Sequence, residues 1–156
     1  MDTGDEPLLV AATLGNLNWS TERFTRDRVL TDRMFVQYTC FDGARGDVGL
    51  VAEVDGRAVG AAWALLLPAP GGYGHVDDAT PEASMWVAAD HRGRGIGREL
   101  TERLLAMAAD AGHARLSLSV ESGNTRARSL YSSVGFVAVP GREADGVMVV
   151  DLAALR

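Results

Sequence analysis

The sequence predicts an α/β domain (α+β in stricter usage), with a mixed, mostly antiparallel central sheet flanked by helices. Three observations carry that expectation. Strand, helix and strand patterns follow one another from 82 to 121, a βαβ unit whose strands run parallel and join right-handedly. Before it, Asp55-Gly56 sits between two apolar runs, as in a two-residue hairpin. After it, "FVAV" and "VMVVDL" make a final pair of strands around the loop 140–146.

Taken in order, residues 6–17 read as a helix, followed by the polar and aromatic loop "NWSTERFT". A second helical stretch is expected from about Arg26 to Tyr38, and "DGARGD" (42–47) is a loop by its Gly and Asp content. The hairpin ends at Pro68, and 68–81 is a long Pro-, Gly- and Asp-rich loop of the kind that often carries function. "EASMWVA" is the next strand. Ile96, Leu100, Leu104, Met107, Ala108 and Ala111 then recur at helical spacing, with Gly112 where a C-terminal cap belongs. "RLSLSVE" (115–121) alternates, placing Leu116, Leu118 and Val120 on one face. Asn124 can cap a last helix carrying Ala127, Leu130, Tyr131 and Val134, stopped by Gly135.

The 156 residues are most simply one domain, long enough for a core without covalent staples. A net charge of -6 argues against nucleic acid as a partner and suits a cationic substrate. Cys40, the single cysteine, allows no intrachain disulfide and no cysteine-based zinc site; it is expected to be a buried structural thiol. His75, His91 and His113 lack metal-ligand spacing, so no metal is expected. No apolar stretch reaches the ~20 residues of a membrane span, and the acidic start does not resemble a signal peptide. A cytoplasmic protein without membrane partners is the expectation, and a homodimer is compatible with it.

Residues 92–98 read Arg-Gly-Arg-Gly-Ile-Gly-Arg, directly before the clearest helix. Successive backbone N–H groups in such a turn, with the start of a helix, form a concavity for a phosphate. Arg92, Arg94 and Arg98 add charge that a turn needing glycine for clearance alone would not explain. A P-loop is excluded, because it needs Gly-Lys-Ser/Thr and the chain has no lysine. A dinucleotide fingerprint fails too: counting from Gly93, its third glycine falls on Arg98, and some 85 residues precede the motif.

What remains is Arg-x-x-Gly-x-Gly, from Arg92 through Gly95 to Gly97, between a strand and a helix. Here the sequence resembles the GNAT N-acetyltransferase superfamily, whose pyrophosphate loop carries Arg/Gln-x-x-Gly-x-Gly/Ala. "NTRARSLYSSVGF" (124–136) is similar to the family's Asn…Ala…Leu-Tyr…Gly-Phe segment, so the likeness runs in detail from Glu82 to Phe136. Two departures stand out. Ala89 occupies the family's usual proline position, and residues 1–5 are too short and polar for the family's first strand. Either the start lies upstream or the sheet lacks that strand.

The resemblance implies a GNAT-like fold with splayed parallel strands and acetyl-CoA as co-substrate. The pantetheine would pair with backbone around Met85, Trp86 and Val87. The pyrophosphate would rest on the N–H groups of Arg92, Gly93, Arg94, Gly95, Ile96, Gly97 and Arg98, with Asn124 beside the cofactor arm. An amine would attack the thioester directly in a ternary complex. Tyr131 matches the tyrosine that protonates the departing sulfur, though at helical spacing it also fits a core. Glu82 stands where members often place a carboxylate base acting through water, or else is a solvated strand-end residue. Asp77 and Asp78 in the loop 68–81 are candidates to attract a cationic small-molecule or peptide amine, or else simply solvate a turn. From a different class, a non-catalytic acyl-CoA binding or sensing module would use the same loop without turnover.

Overall fold

A computed structural model describes residues 1–155. Glu6–Leu17 forms α1, with Pro7 in its first turn. The helix expected from Arg26 to Tyr38 is instead broken. Arg26–Thr31 (α2) is capped by Thr25, Arg33–Val36 (α3) is capped by Asp32, and Gln37–Thr39 is a 3-10 turn. Asp32 has extended backbone (φ -82°, ψ 120°) and its side chain accepts from Met34 N–H. A residue that bonds its own neighbouring backbone this way starts a helix rather than continuing one.

The hairpin consists of β1 (Val48–Val54) and β2 (Arg57–Leu65). Asp55 and Gly56 both have positive φ, 50° and 74°, as the type I′ turn requires. Next come β3 (Glu82–Val87), α4 (Ile96–Asp110), β4 (Arg115–Ser119) and α5 (Thr125–Ser133). β5 is only Val137–Ala138, and β6 (Val147–Asp151) completes one sheet of order β1-β2-β3-β4-β6-β5. Only β3 and β4, among the described residues, pair in parallel. Among the described residues no strand precedes α1: Thr3–Asp5 is a 3-10 turn and β1 is the sheet edge.

Alternation along β2 divides the core. Ala62 and Ala64 face α4 and α5 with Leu100, Leu104, Leu116, Leu118 and Tyr131. Ala61, Trp63 and Leu65 face α1 with Leu9 and Ala12. β3 follows the same period: Ala83, Met85 and Val87 join the first cluster, and Trp86 packs on the second. Cys40 is exposed, contrary to the buried thiol expected, because it follows the 3-10 turn at the surface. No helix among the described residues is long and apolar enough to cross a membrane.

Candidate active site

The site begins where the sheet opens. β3 is paired with β2 along its length, but with β4 only at Glu82 and Ser117, where Ser117 N–H donates to Pro81 O at 3.0 Å. Beyond that point β4 turns to β6. Ala88 N–H donates to Val59 O at 2.8 Å, which sets the phase of the β2–β3 ladder. Antiparallel alternation then turns the N–H and C=O of Met85 away from β2, into the opening. The Val87 carbonyl faces the same way and accepts from Arg92 Nε at 3.0 Å. The opening leads into a cavity of ≈ 1000 Å³.

One end of that cavity is the glycine loop. Gly93 and Gly95 have φ of +76° and +83°. A Cβ at Gly95 would meet nothing within 4 Å, and one at Gly93 only the Arg126 guanidinium at 3.8 Å. These glycines therefore serve backbone conformation, and the space above them is open. Gly97 differs, for a Cβ there would press on the Met85 methyl at 3.3 Å and touch Leu130 at 3.6 Å. Gly95 is the N-cap of α4 and no side chain caps the helix; its first bond is Glu99 N–H to Gly95 O. The N–H groups of Ile96, Gly97 and Arg98 are left with the positive end of the helix dipole.

The arginines are used unequally. Arg92 is tied to Val87, and Arg98 reaches away to Ser133 Oγ (2.7 Å) and Glu102 (3.3 Å). Arg94 does not line the cavity, whereas Arg126, in the first turn of α5, does and faces Gly93. Asn124 lines the cavity while its Oδ1 caps α5 at Ala127 N–H.

Glu82 lies deeper and is only 5% exposed, so it is no solvated strand end. Its Oε1 accepts from Tyr38 Oη at 2.5 Å and from Gly74 N–H at 2.8 Å, while Oε2 has no hydrogen-bond partner among the described residues. Burial raises its pKa above the usual carboxylate range, opposed by the Tyr38 and Gly74 hydrogen bonds. Gly72 must be glycine, since a Cβ would stand 2.1 Å from Tyr38 Oη and 2.4 Å from Glu82 Oε2.

Tyr131 also lines the cavity, from α5. Its ring packs edge-on against Phe136 with centroids 5.6 Å apart, and its hydroxyl makes no hydrogen bond among the described residues. Burial pushes its pKa up to about 12. The cavity thus joins an exposed strand edge, an uncapped helix start, a buried carboxyl and an unpaired phenol.

The acetyltransferase (GNAT) family model matches residues 12–136. The chain belongs to the GNAT acetyltransferase family. L-amino acid N-acyltransferase MnaT of Escherichia coli is 41% identical over 58 residues, 37% of this chain and 34% of that protein. Phosphinothricin N-acetyltransferase of Alcaligenes faecalis is 36% identical over 89 residues, 56% of this chain and 43% of its own. The chain therefore spans less than half the length of these curated relatives. In fold, yncA of Salmonella typhimurium, solved with acetyl-CoA, has a TM-score of 0.65 at 24% identity, covering 97% of this chain and 91% of its own. The paia N-acetyltransferase of Thermoplasma acidophilum, in complex with coenzyme A, gives 0.67 at 14%, covering 97% and 95%.

In this GNAT chain the loop 68–81 reaches the cavity, but not through the aspartates. Neither Asp77 nor Asp78 lines it, whereas Tyr73 does. Asp77 Oδ1 accepts from Ala79 N–H and Thr80 Oγ1, and its Oδ2 pairs with Arg115 at 2.5 Å. Asp78 is exposed and approaches His75 at 3.6 Å. Both belong to the turn and its anchor on β4. Asp77→Asn is accordingly expected to leave the amine KM unchanged and to lower stability by less than about 1 kcal/mol, the range of exposed ion pairs. Amine kinetics beside a thermal melt check this. Three contributors escape sequence reading: Tyr38 and Gly74, because they reach Glu82 only through tertiary contacts, and Arg126, whose place five residues before Tyr131 marks it only as a helix-surface charge.

Proposed function

We propose that this GNAT protein is an acetyl-CoA-dependent N-acetyltransferase, acting in the cytoplasm on an amine of a small molecule or peptide. The observation that carries it is the shared cavity of Glu82 and Tyr131, reached along the open edge of β3. A module that only bound acyl-CoA would need neither a buried carboxyl nor an unpaired phenol there.

The residues present fit the co-substrate. The open space over Gly95 and the free N–H groups of Ile96, Gly97 and Arg98 suit a pyrophosphate, with Arg126 able to add charge. The free N–H and C=O of Met85 suit an amide of the pantetheine arm, with Trp86 and Val87 as its neighbours on the strand. Acetyl-CoA would supply an acetyl group activated as a thioester. Glu82 holds the proton that the attacking amine must lose, and Tyr131 gives its hydroxyl proton to the departing sulfur. Burial of both keeps bulk water from competing.

Because Glu82 must be ionised to act, activity rises with pH. Its raised pKa places that rise above the ordinary glutamate range. Glu82→Gln is expected to lower kcat about 10²-fold and to abolish the acidic limb of the pH–kcat/KM profile. The deciding experiment measures CoA thiol release with a panel of amines. The names of the relatives put amino acids first on that panel. Tight CoA binding without turnover of any amine would return the protein to the non-catalytic class.

A further inference from the structure

Tyr38 stands in a tight knot of main chain and side chain. Its own carbonyl accepts from Trp63 Nε1 at 3.0 Å, tying the 3-10 turn to β2. Its hydroxyl accepts from Tyr73 N–H at 2.8 Å and donates to Glu82 Oε1 at 2.5 Å. With one proton to give and its acceptor side occupied, the phenol has a single orientation. Gly74 N–H supplies a second donor to the same Oε1. Oε2, buried beside Gly72 and without a hydrogen-bond partner among the described residues, is the oxygen left to carry a proton.

We propose that Tyr38 is a positioning residue for this acetyltransferase, which holds Oε1 of Glu82 as a fixed acceptor and so directs the transferred proton to Oε2. The inference rests on Glu82 being the base. It assigns to Tyr38 more than packing: the loop 66–81, the turn 37–39 and β3 are locked around one carboxyl by two peptide N–H groups and one phenol. The proton balance is simple. The amine loses one proton, Oε2 gains it, and the Tyr38 proton stays on its own oxygen.

A donor to a carboxylate favours the ionised form, so its removal moves ionisation of Glu82 to higher pH. Besides Tyr38, His75 from the loop acts on Glu82 electrostatically, in the direction that favours the carboxylate. All comparisons are therefore made in a His75→Gln background. Tyr38→Phe keeps the ring and is expected to raise the acidic limb of kcat/KM by about one pH unit. kcat at the plateau should fall about tenfold, with the KM for acetyl-CoA unchanged. In Glu82→Gln the same change should have no further effect on kcat, as for two residues acting through one group.

Ring fluorination of Tyr38 in the full-length protein supplies a second arm that does not depend on the folding of Tyr38→Phe. A more acidic phenol is a stronger donor, so the limb should move to lower pH. An acidic limb that stays in place in either folded variant overturns the proposal. Wild-type activity and an unaltered profile in Glu82→Gln would instead overturn the assignment of the base itself, so the two failures are distinguishable.

Discussion

Gly95→Glu is expected to leave the protein folded and to abolish measurable CoA binding. Gly95 has φ +83°, where an L-residue pays roughly 1–2 kcal/mol in backbone strain. A Cβ there meets nothing within 4 Å, so no collision adds to that cost. The new carboxylate sits at the uncapped start of α4, where negative charge is favoured by about 0.3–1 kcal/mol, which offsets part of the strain. The same features should exclude the ligand, because side-chain bulk and charge would occupy the proposed place of the pyrophosphate. Gly95→Ala separates the effects: it carries the strain without the charge and should weaken CoA binding without abolishing it. Calorimetry on both variants, beside a thermal melt, is the check. Parental CoA affinity in folded Gly95→Glu would remove the loop from the binding site.

Tyr131→Phe carries the second large expected effect, a fall in kcat of about 10²–10⁴-fold with little change in affinity for acetyl-CoA. The hydroxyl has no hydrogen-bond partner among the described residues, so its removal breaks no hydrogen bond there, and the ring keeps its edge-on contact with Phe136. Stability should therefore be nearly unchanged, which separates chemistry from packing. With its pKa pushed up to about 12 by burial, Tyr131 keeps its proton across the assay range. The loss should accordingly be independent of pH where Glu82 is ionised. Single-turnover transfer from acetyl-CoA reads the chemical step directly, and equal rates in the two proteins would make Tyr131 a core residue only.

The sequence by itself determined the parts whose signals are local. The period of Ile96, Leu100 and Leu104 predicted α4, and Asp55-Gly56 predicted the turn that both positive φ values realise. The stops at Gly112 and Gly135 have φ of +89° and +108°, conformations that glycine adopts without a Cβ penalty. The open glycine loop belongs to the same class, since backbone freedom and helix starts are written in consecutive residues. Local pattern also misled: 26–38 looks helical throughout, but Asp32 bonds Met34 N–H and breaks it.

Tertiary structure alone decided what the charged and phenolic groups do. Glu82 is a buried acceptor because Tyr38 arrives from 44 residues away and Gly74 from 8. Asp77 is withdrawn from the cavity because Arg115, 38 residues on, claims its second oxygen. Arg126 rather than Arg94 faces the loop because α5 packs with α4 on one face of the sheet. The ionisation and reach of a carboxyl depend on burial and on donors within about 3 Å. Residues far apart in sequence meet at that distance only once the sheet has brought β3, the loop before it and the N-terminal helices together.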